Sequence, residues 1–193
     1  MNRAVFFDRD GTVNAEVGYL SDLKQLVLIP GAGKAIKRLN DAGLKVVLVT
    51  NQSGVARGYF TEEFVRETHA LLERMLQEEG ARIDGIYYCP HHPRAGNSSY
   101  TRECNCRKPG TGLLDQAARE LDVRVDQSFV VGDKWSDVEL GQRAGAASIL
   151  VQTGFAHDDP GNVRPDRVRE PDYRAPTIGD AVDWILNRVE SGQ

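Results

Sequence analysis

The chain has 193 residues, 40% hydrophobic and 27% charged, with 24 Lys and Arg against 28 Asp and Glu for a formal net charge of −4. That length suffices for one substantial core and predicts a single domain over residues 1–193. Mild acidity argues against broad nucleic-acid binding, and no apolar run approaches the roughly 20 residues of a membrane helix, so neither nucleic acid nor membrane is an expected partner. The start reads as folded strand rather than leader, which predicts a cytoplasmic protein; a monomer is expected.

Ala4-Val5-Phe6-Phe7 is a short apolar run that reads as a buried strand and delivers Asp8 and Asp10 into a turn at Gly11. A strand ending at Asp8 stands its carboxylate at the carboxyl end of the sheet, where open α/β sheets bind ligands. Two carboxylates so close repel each other and favour a divalent cation. An oxygen-rich site of this kind suits Mg²⁺, and beside a phosphate ester it suits phosphoryl transfer through an aspartyl-phosphate. A plain strand and Asp-Gly turn is the rival reading of this segment taken alone.

Gly31 to Ala42 reads as a helix ending at Gly43, and the strand from Lys45 runs out into Thr50-Asn51-Gln52-Ser53-Gly54. Hydroxyls, amides and loop N–H donors in such a cluster can hold phosphate oxygens. Thr61 caps a long helix with Glu62 and Glu63 in its first turn and Phe64, Leu71, Leu72, Met75 and Leu76 as its apolar face. Ile83 to Tyr88 is a strand leading into Cys89-Pro90-His91-His92-Pro93, followed by Cys104-Asn105-Cys106. These are all three cysteines of the chain, and C-x-H paired with C-x-C predicts a structural Cys₃His zinc site of Cys89, His91, Cys104 and Cys106. His92 is the alternative histidine. The metal would order a loop whose end carries Arg107, Lys108 and Pro109.

Leu113 to Leu121 reads as helix, and Ser128 to Val131 as a strand running into Gly132-Asp133-Lys134, where Asp133 can join Asp8 at a metal. Ser136 and Glu139 fit a capping box for a helix over Asp137 to Ala144. Ser148 to Val151 is a strand, Gly154 to Pro176 a surface loop, and Ile178 to Val189 a closing amphipathic helix. The alternation predicts an α/β fold, a Rossmann-like open parallel sheet with helices on both faces. Thr12 to Gly31 and Gly54 to Thr61 are too short for a cap domain, so the site should be open and its selectivity supplied by short loops.

Asp8-Arg9-Asp10-Gly11-Thr12, Thr50, Lys108 and Gly132-Asp133 match the four motifs of the haloacid dehalogenase superfamily, and the chain resembles its phosphatases. The resemblance implies that Asp8 is the nucleophile and that Asp10 is first general acid, then base. It implies that Thr50 and Lys108 hold the phosphoryl group while Asp8, the Asp10 carbonyl and Asp133 ligate Mg²⁺. A dianionic ester needs that charge compensation before a carboxylate can approach it. The capless layout and Cys/His loop resemble, more narrowly, the heptose bisphosphate phosphatase family. This implies substrate contacts from Glu16, Val17, Gly18, Tyr19, Asn51, Gln52, Ser53, Arg107 and Lys134, with a small phosphorylated sugar as substrate in nucleotide-activated heptose biosynthesis. Histidinol-phosphate phosphatases share the motifs and the zinc loop and are the enzymatic rival. A 3′-phosphatase of nucleic-acid ends is more distant, lacking an aromatic stacking platform here. A phosphate-binding module without turnover is the rival of another class, disfavoured because both Asp8 and Asp10 are present.

Overall fold

Residues 2–96, 99–154 and 161–192 are described by the computed structural model. Short runs of β-branched and aromatic residues form strands β1 (Ala4–Phe7), β2 (Lys45–Asn51), β3 (Gly85–Cys89), β4 (Phe129–Gly132), β5 (Ala147–Val151) and β6 (Tyr173–Ala175). They lie in one sheet in the order β3-β2-β1-β4-β5-β6, and every neighbouring pair is parallel. Parallel neighbours need crossovers, which helices supply. These are α1 (Ala32–Asp41), α2 (Gly54–Arg57), α3 (Glu62–Glu78), α4 (Gly112–Leu121), α5 (Trp135–Ala144) and α6 (Ile178–Glu190).

The strands are apolar on both faces because both are covered. Val5, Phe7, Val46, Leu48, Phe129, Val131, Ile149 and Val151 share a core with α1, α3 and α6. Ala4, Phe6, Val47, Val49 and Val130 face the other way, onto Leu113, Leu114 and Ala117 of α4 and Leu140 of α5. On α3, capped by Thr61, Leu72 and Leu76 are buried as expected, together with Val65; Phe64, Leu71 and Met75 pack half-buried against the same core.

Two expectations are corrected. The stretch from Gly154 to Pro176, read as loop, contains β6, whose Tyr173, Arg174 and Ala175 pair with Ile149, Leu150 and Val151; residues 155–160 of it lie outside the described residues. The Ser136–Glu139 capping box is absent. Helix α5 starts at Trp135, the Lys134 N–H donates to Asp137 Oδ2 at 3.1 Å, and Glu139 is held instead by Arg143 and Arg167. No helix among the described residues is long and apolar enough to cross a membrane.

Strand order reverses at β1, so the chain leaves β1 and β4 in opposite directions and opens a crevice at their carboxyl ends. Asp8 follows β1 directly, Asp133 follows β4, and Thr50 is near the end of β2. Asn51 is in register with Cys89, which sets the start of the Cys/His loop on the same rim.

Candidate active site

Asp8 continues β1: its N–H donates to the Val131 carbonyl at 2.9 Å, which aims the carboxylate into the crevice. Lys108 Nζ meets Asp8 Oδ1 at 2.8 Å, Asp137 Oδ1 at 2.6 Å and the Val49 carbonyl at 2.9 Å. Three acceptors match three ammonium protons. Burial alone would drive this amine toward neutrality, but Asp137 and Asp8 outweigh it and raise its pKa, so Lys108 stays charged. Its backbone is gripped by Asn51, whose Oδ1 accepts from the Lys108 N–H at 3.0 Å and whose Nδ2 donates to the Lys108 carbonyl at 3.3 Å. Asn51, expected to touch substrate, thus also positions the lysine.

Asp10 sits in a cage of donors. Arg9 Nη2 reaches both of its oxygens at 2.8 Å, Asn14 Nδ2 reaches Oδ1 at 3.0 Å, and Gln52 Nε2 reaches Oδ2 at 2.9 Å. Burial raises the Asp10 pKa, yet the Arg9 charge and these hydrogen bonds prevail and hold it below the usual carboxylate value. Gln52 gives its second amide proton to Thr50 Oγ1 at 2.9 Å, tying the acid to the hydroxyl. Behind Arg9 lies the buried His69 of α3, whose Nε2 is 3.3 Å from Arg9 Nη1. Burial, with Arg9 adding to it, pushes the His69 pKa down to about 3, so the ring is neutral and accepts from the guanidinium.

Asp8, Asp133 and Asp137 are all buried, and each offers an oxygen within 4.8 Å of the others. A Cβ on Gly11, whose φ is +82°, would stand 2.5 Å from Asp133 Oδ2, so only glycine lets the chain pass so close to this carboxylate. Three carboxylates face two ammonium groups, Lys108 and Lys134. Lys134 pairs with Glu16 at 3.2 Å, and its pKa rises because Asp8, Asp133 and Glu16 outweigh burial. Hard oxygen donors with excess negative charge fit Mg²⁺.

A cavity of about 450 Å³ opens over this floor, lined by Glu16, Gly18 and Tyr19, by Asn51, Gln52 and Ser53, and by Arg107, Lys108 and Lys134. Val17 is exposed and lies outside the lining. A second cavity, of about 370 Å³, lies at the amino ends of β4 and β5, remote from these groups.

Sulfurs of Cys89, Cys104 and Cys106 stand 3.2–3.5 Å apart, and His91 Nδ1 lies 3.3 Å from Cys106 Sγ and 3.7 Å from Cys89 Sγ. Tetrahedral zinc with bonds of ~2.3 Å to sulfur and ~2.0 Å to nitrogen would separate sulfurs by ~3.8 Å and sulfur from nitrogen by ~3.5 Å. All three thiols are free, and burial, reinforced by Cys106, pushes the Cys89 thiol well up, so a thiolate there needs a cation beside it. His92 is turned elsewhere: its Nδ1 accepts from the Arg94 and Ala95 N–H groups at 3.1 and 2.9 Å.

Four contributors escaped the sequence reading. Asp137 looked like the start of a helix; its spacing of four from Asp133, which puts both at one helix N-terminus, was the available signal. Arg9 sat unremarked between two aspartates, and His69 carried no local signal at all. Asn162 donates to the Asp133 carbonyl at 3.1 Å and accepts from the Trp135 N–H at 2.9 Å, across a loop whose approach sequence does not disclose.

Residues 5–75 match the haloacid dehalogenase-like hydrolases and residues 105–181 the HAD-hydrolase-like family. The D-glycero-beta-D-manno-heptose-1,7-bisphosphate 7-phosphatase of Haemophilus ducreyi is 44% identical over 168 residues, 86% of this chain and 92% of that one. The D-glycero-D-manno-heptose-1,7-bisphosphate 7-phosphatase of Thermosynechococcus vestitus is 43% identical over 198 residues, 96% of each. A crystal structure of the D,D-heptose 1,7-bisphosphate phosphatase of B. bronchiseptica complexed with magnesium and phosphate superposes with a TM-score of 0.83 at 32% identity, covering 96% of this chain and 99% of that one. Likeness on that scale, over a sheet that gathers its acids and its lysine at one switch point, makes the chain a phosphatase of the haloacid dehalogenase-like hydrolases, belonging to the heptose-1,7-bisphosphate 7-phosphatase family.

Proposed function

We propose that this phosphatase removes the C7 phosphate of D-glycero-D-manno-heptose 1,7-bisphosphate in the cytoplasm, through an aspartyl-phosphate on Asp8. The observation that carries the reading is Lys108 Nζ held between Asp8 and Asp137 at 2.8 and 2.6 Å, a buried cation beside the nucleophile. An Asp8 oxygen attacks phosphorus, the bond from phosphorus to the C7 oxygen breaks, and Asp10 gives its proton to the leaving oxygen. Water then attacks phosphorus, Asp10 takes the water's proton, and Asp8 is freed as phosphate leaves. Thr50 and Lys108 hold the phosphoryl oxygens. Asp10 rests ionised in its cage, the form needed for the second step; the negative charge of an arriving phosphate opposes the hold of Arg9 and favours the protonated form needed for the first.

Mg²⁺ bound by Asp8, Asp133 and the Asp10 carbonyl, with Asp137 beside them, would neutralise phosphate charge as it develops. Support comes from the oxygen set and from the magnesium and phosphate in the B. bronchiseptica relative. Zinc at Cys89, His91, Cys104 and Cys106 would order the loop leading to Arg107 and Lys108, and unpaired thiols suit a reducing compartment. With zinc on Nδ1 the His91 ring proton moves to Nε2, so Arg102 Nη2, now 2.8 Å away, is expected to swing aside.

The substrate reading is tested by kcat/KM for the two anomers of the heptose bisphosphate against histidinol phosphate. One bisphosphate anomer should lead by more than tenfold. A tenfold lead for histidinol phosphate, about 1.4 kcal/mol of transition-state preference, overturns the assignment.

A further inference from the structure

We propose that Arg57 and His92 form a second oxyanion subsite at the rim of the cleft, which takes the remote phosphate of a bisphosphorylated sugar; this rests on the substrate reading above. The argument starts from a proton. His92 Nδ1 accepts two backbone N–H groups, from Arg94 at 3.1 Å and Ala95 at 2.9 Å, so the neutral ring carries its proton on Nε2. That nitrogen lies 3.3 Å from Arg57 Nη2. Guanidinium nitrogens only donate, so two donors converge with no acceptor between them. Arg57 Nε is buried and has no hydrogen-bond partner among the described residues. An anion resolves this arrangement, and phosphate supplies enough acceptors for every donor.

Position ties the pair to the cleft. Arg57 covers the ring of Tyr19 at 5.7 Å, and Tyr19 and Arg107 both line the cavity above Lys108. The pair is also held firm: a Cβ on Gly96 would overlap the Ala56 carbonyl, so the loop carrying His92 is seated directly on α2, which carries Arg57. Lys134, expected to bind substrate, lines the same cavity and is held among Asp8, Asp133 and Glu16. Carboxylates and ammonium groups make the floor of the cleft, and the Arg57 guanidinium stands over Tyr19 at its rim.

Two measurements test this. The first is the ratio of kcat/KM for heptose 1,7-bisphosphate to that for heptose 7-phosphate. Arg57→Met keeps an apolar stem over Tyr19, and His92→Asn keeps an acceptor for the backbone N–H groups; each should cut the ratio roughly tenfold, the worth of a charge-assisted hydrogen bond. An unchanged ratio in both variants overturns the proposal, whatever happens to the absolute rates. The second is a tungstate soak of magnesium-bound crystals, which needs no sugar. Tungstate is expected both beside Lys108 and between Arg57 Nη2 and His92 Nε2, the latter lost in Arg57→Met. Tungstate beside Lys108 alone, at saturation, overturns the subsite. If histidinol phosphate proves the better substrate, the substrate reading falls by itself and the crystals still decide the subsite.

Discussion

Asp8 and Asp10 are two residues apart yet stand in opposite surroundings, and their substitutions should differ accordingly. Asp8 is bound to a buried ammonium; in the proposed reaction Asp8→Asn would remove the attacking oxygen and a metal ligand together and should abolish turnover. Asp10→Asn keeps the shape of the cage and should slow turnover by roughly 10² to 10⁴, the usual worth of a positioned acid or base, with substrate binding retained. Single-turnover phosphate release and equilibrium binding separate the two. His69 gives a prediction in stability instead. Its pKa of about 3 lies below that of a free imidazole, so as pH falls from 6.5 toward 3 the unfolded chain takes up the proton first. The contribution of the neutral ring is intact above pH 6.5 and is lost below it. Urea unfolding should show wild type losing about 2 kcal/mol more than His69→Gln between pH 7 and pH 5, because glutamine still accepts from Arg9 but does not titrate. Parallel profiles would remove His69 from the account.

At the scale of elements, the Cys/His loop sets its three thiols 3.2–3.5 Å apart and His91 3.3–3.7 Å from two of them, so its order is expected to depend on a metal. Cys104→Ser should halve zinc content or worse and cut kcat/KM for the phosphatase reaction, since Arg107 and Lys108 follow within four residues; metal analysis of the purified variant checks the first and steady-state kinetics the second. Wild-type protein fully active without zinc would sink the idea. The same elements show where sequence speaks. β1, β2 and β4 are continuous apolar runs rich in Val, Leu and Phe, so their carboxyl ends, and with them Asp8, Thr50 and Asp133, are readable from where each run stops. β6 has three residues, Tyr173, Arg174 and Ala175, in a stretch rich in proline and charge, and only its pairing with β5 makes it a strand. Ser136 and Glu139 have the right spacing for a capping box, but the Lys134 N–H goes to Asp137, a local rival three residues on, and Glu139 is claimed by Arg143 and the distant Arg167. His69 is a helical residue like its neighbours until α3 is packed over Arg9. What stays hidden is what depends on contacts between distant segments.

Across the whole molecule, the acids come from two adjacent strand ends on either side of the topological switch, and the hydroxyl and amide cluster from a third. Each is delivered by its own backbone, and the sheet register fixes their separation. The rim above them is made of separate short segments, the loop of Glu16 and Tyr19, helix α2 and the Cys/His loop. Chemistry and selectivity therefore occupy different layers, so rim substitutions should alter choice of substrate while leaving the floor in place.

Among the described residues no inserted domain stands above the cleft, and that openness would bear on the fate of the proposed phosphoryl group on Asp8. A lidded site admits one chosen water; an open one admits whatever hydroxyl the solvent offers. Glycerol or methanol at molar concentration should therefore intercept part of the phosphoryl group as an alkyl phosphate, raising sugar release above inorganic phosphate release. That ratio, read by ³¹P spectroscopy, measures how far the missing roof leaves the enzyme a transferase as well as a hydrolase.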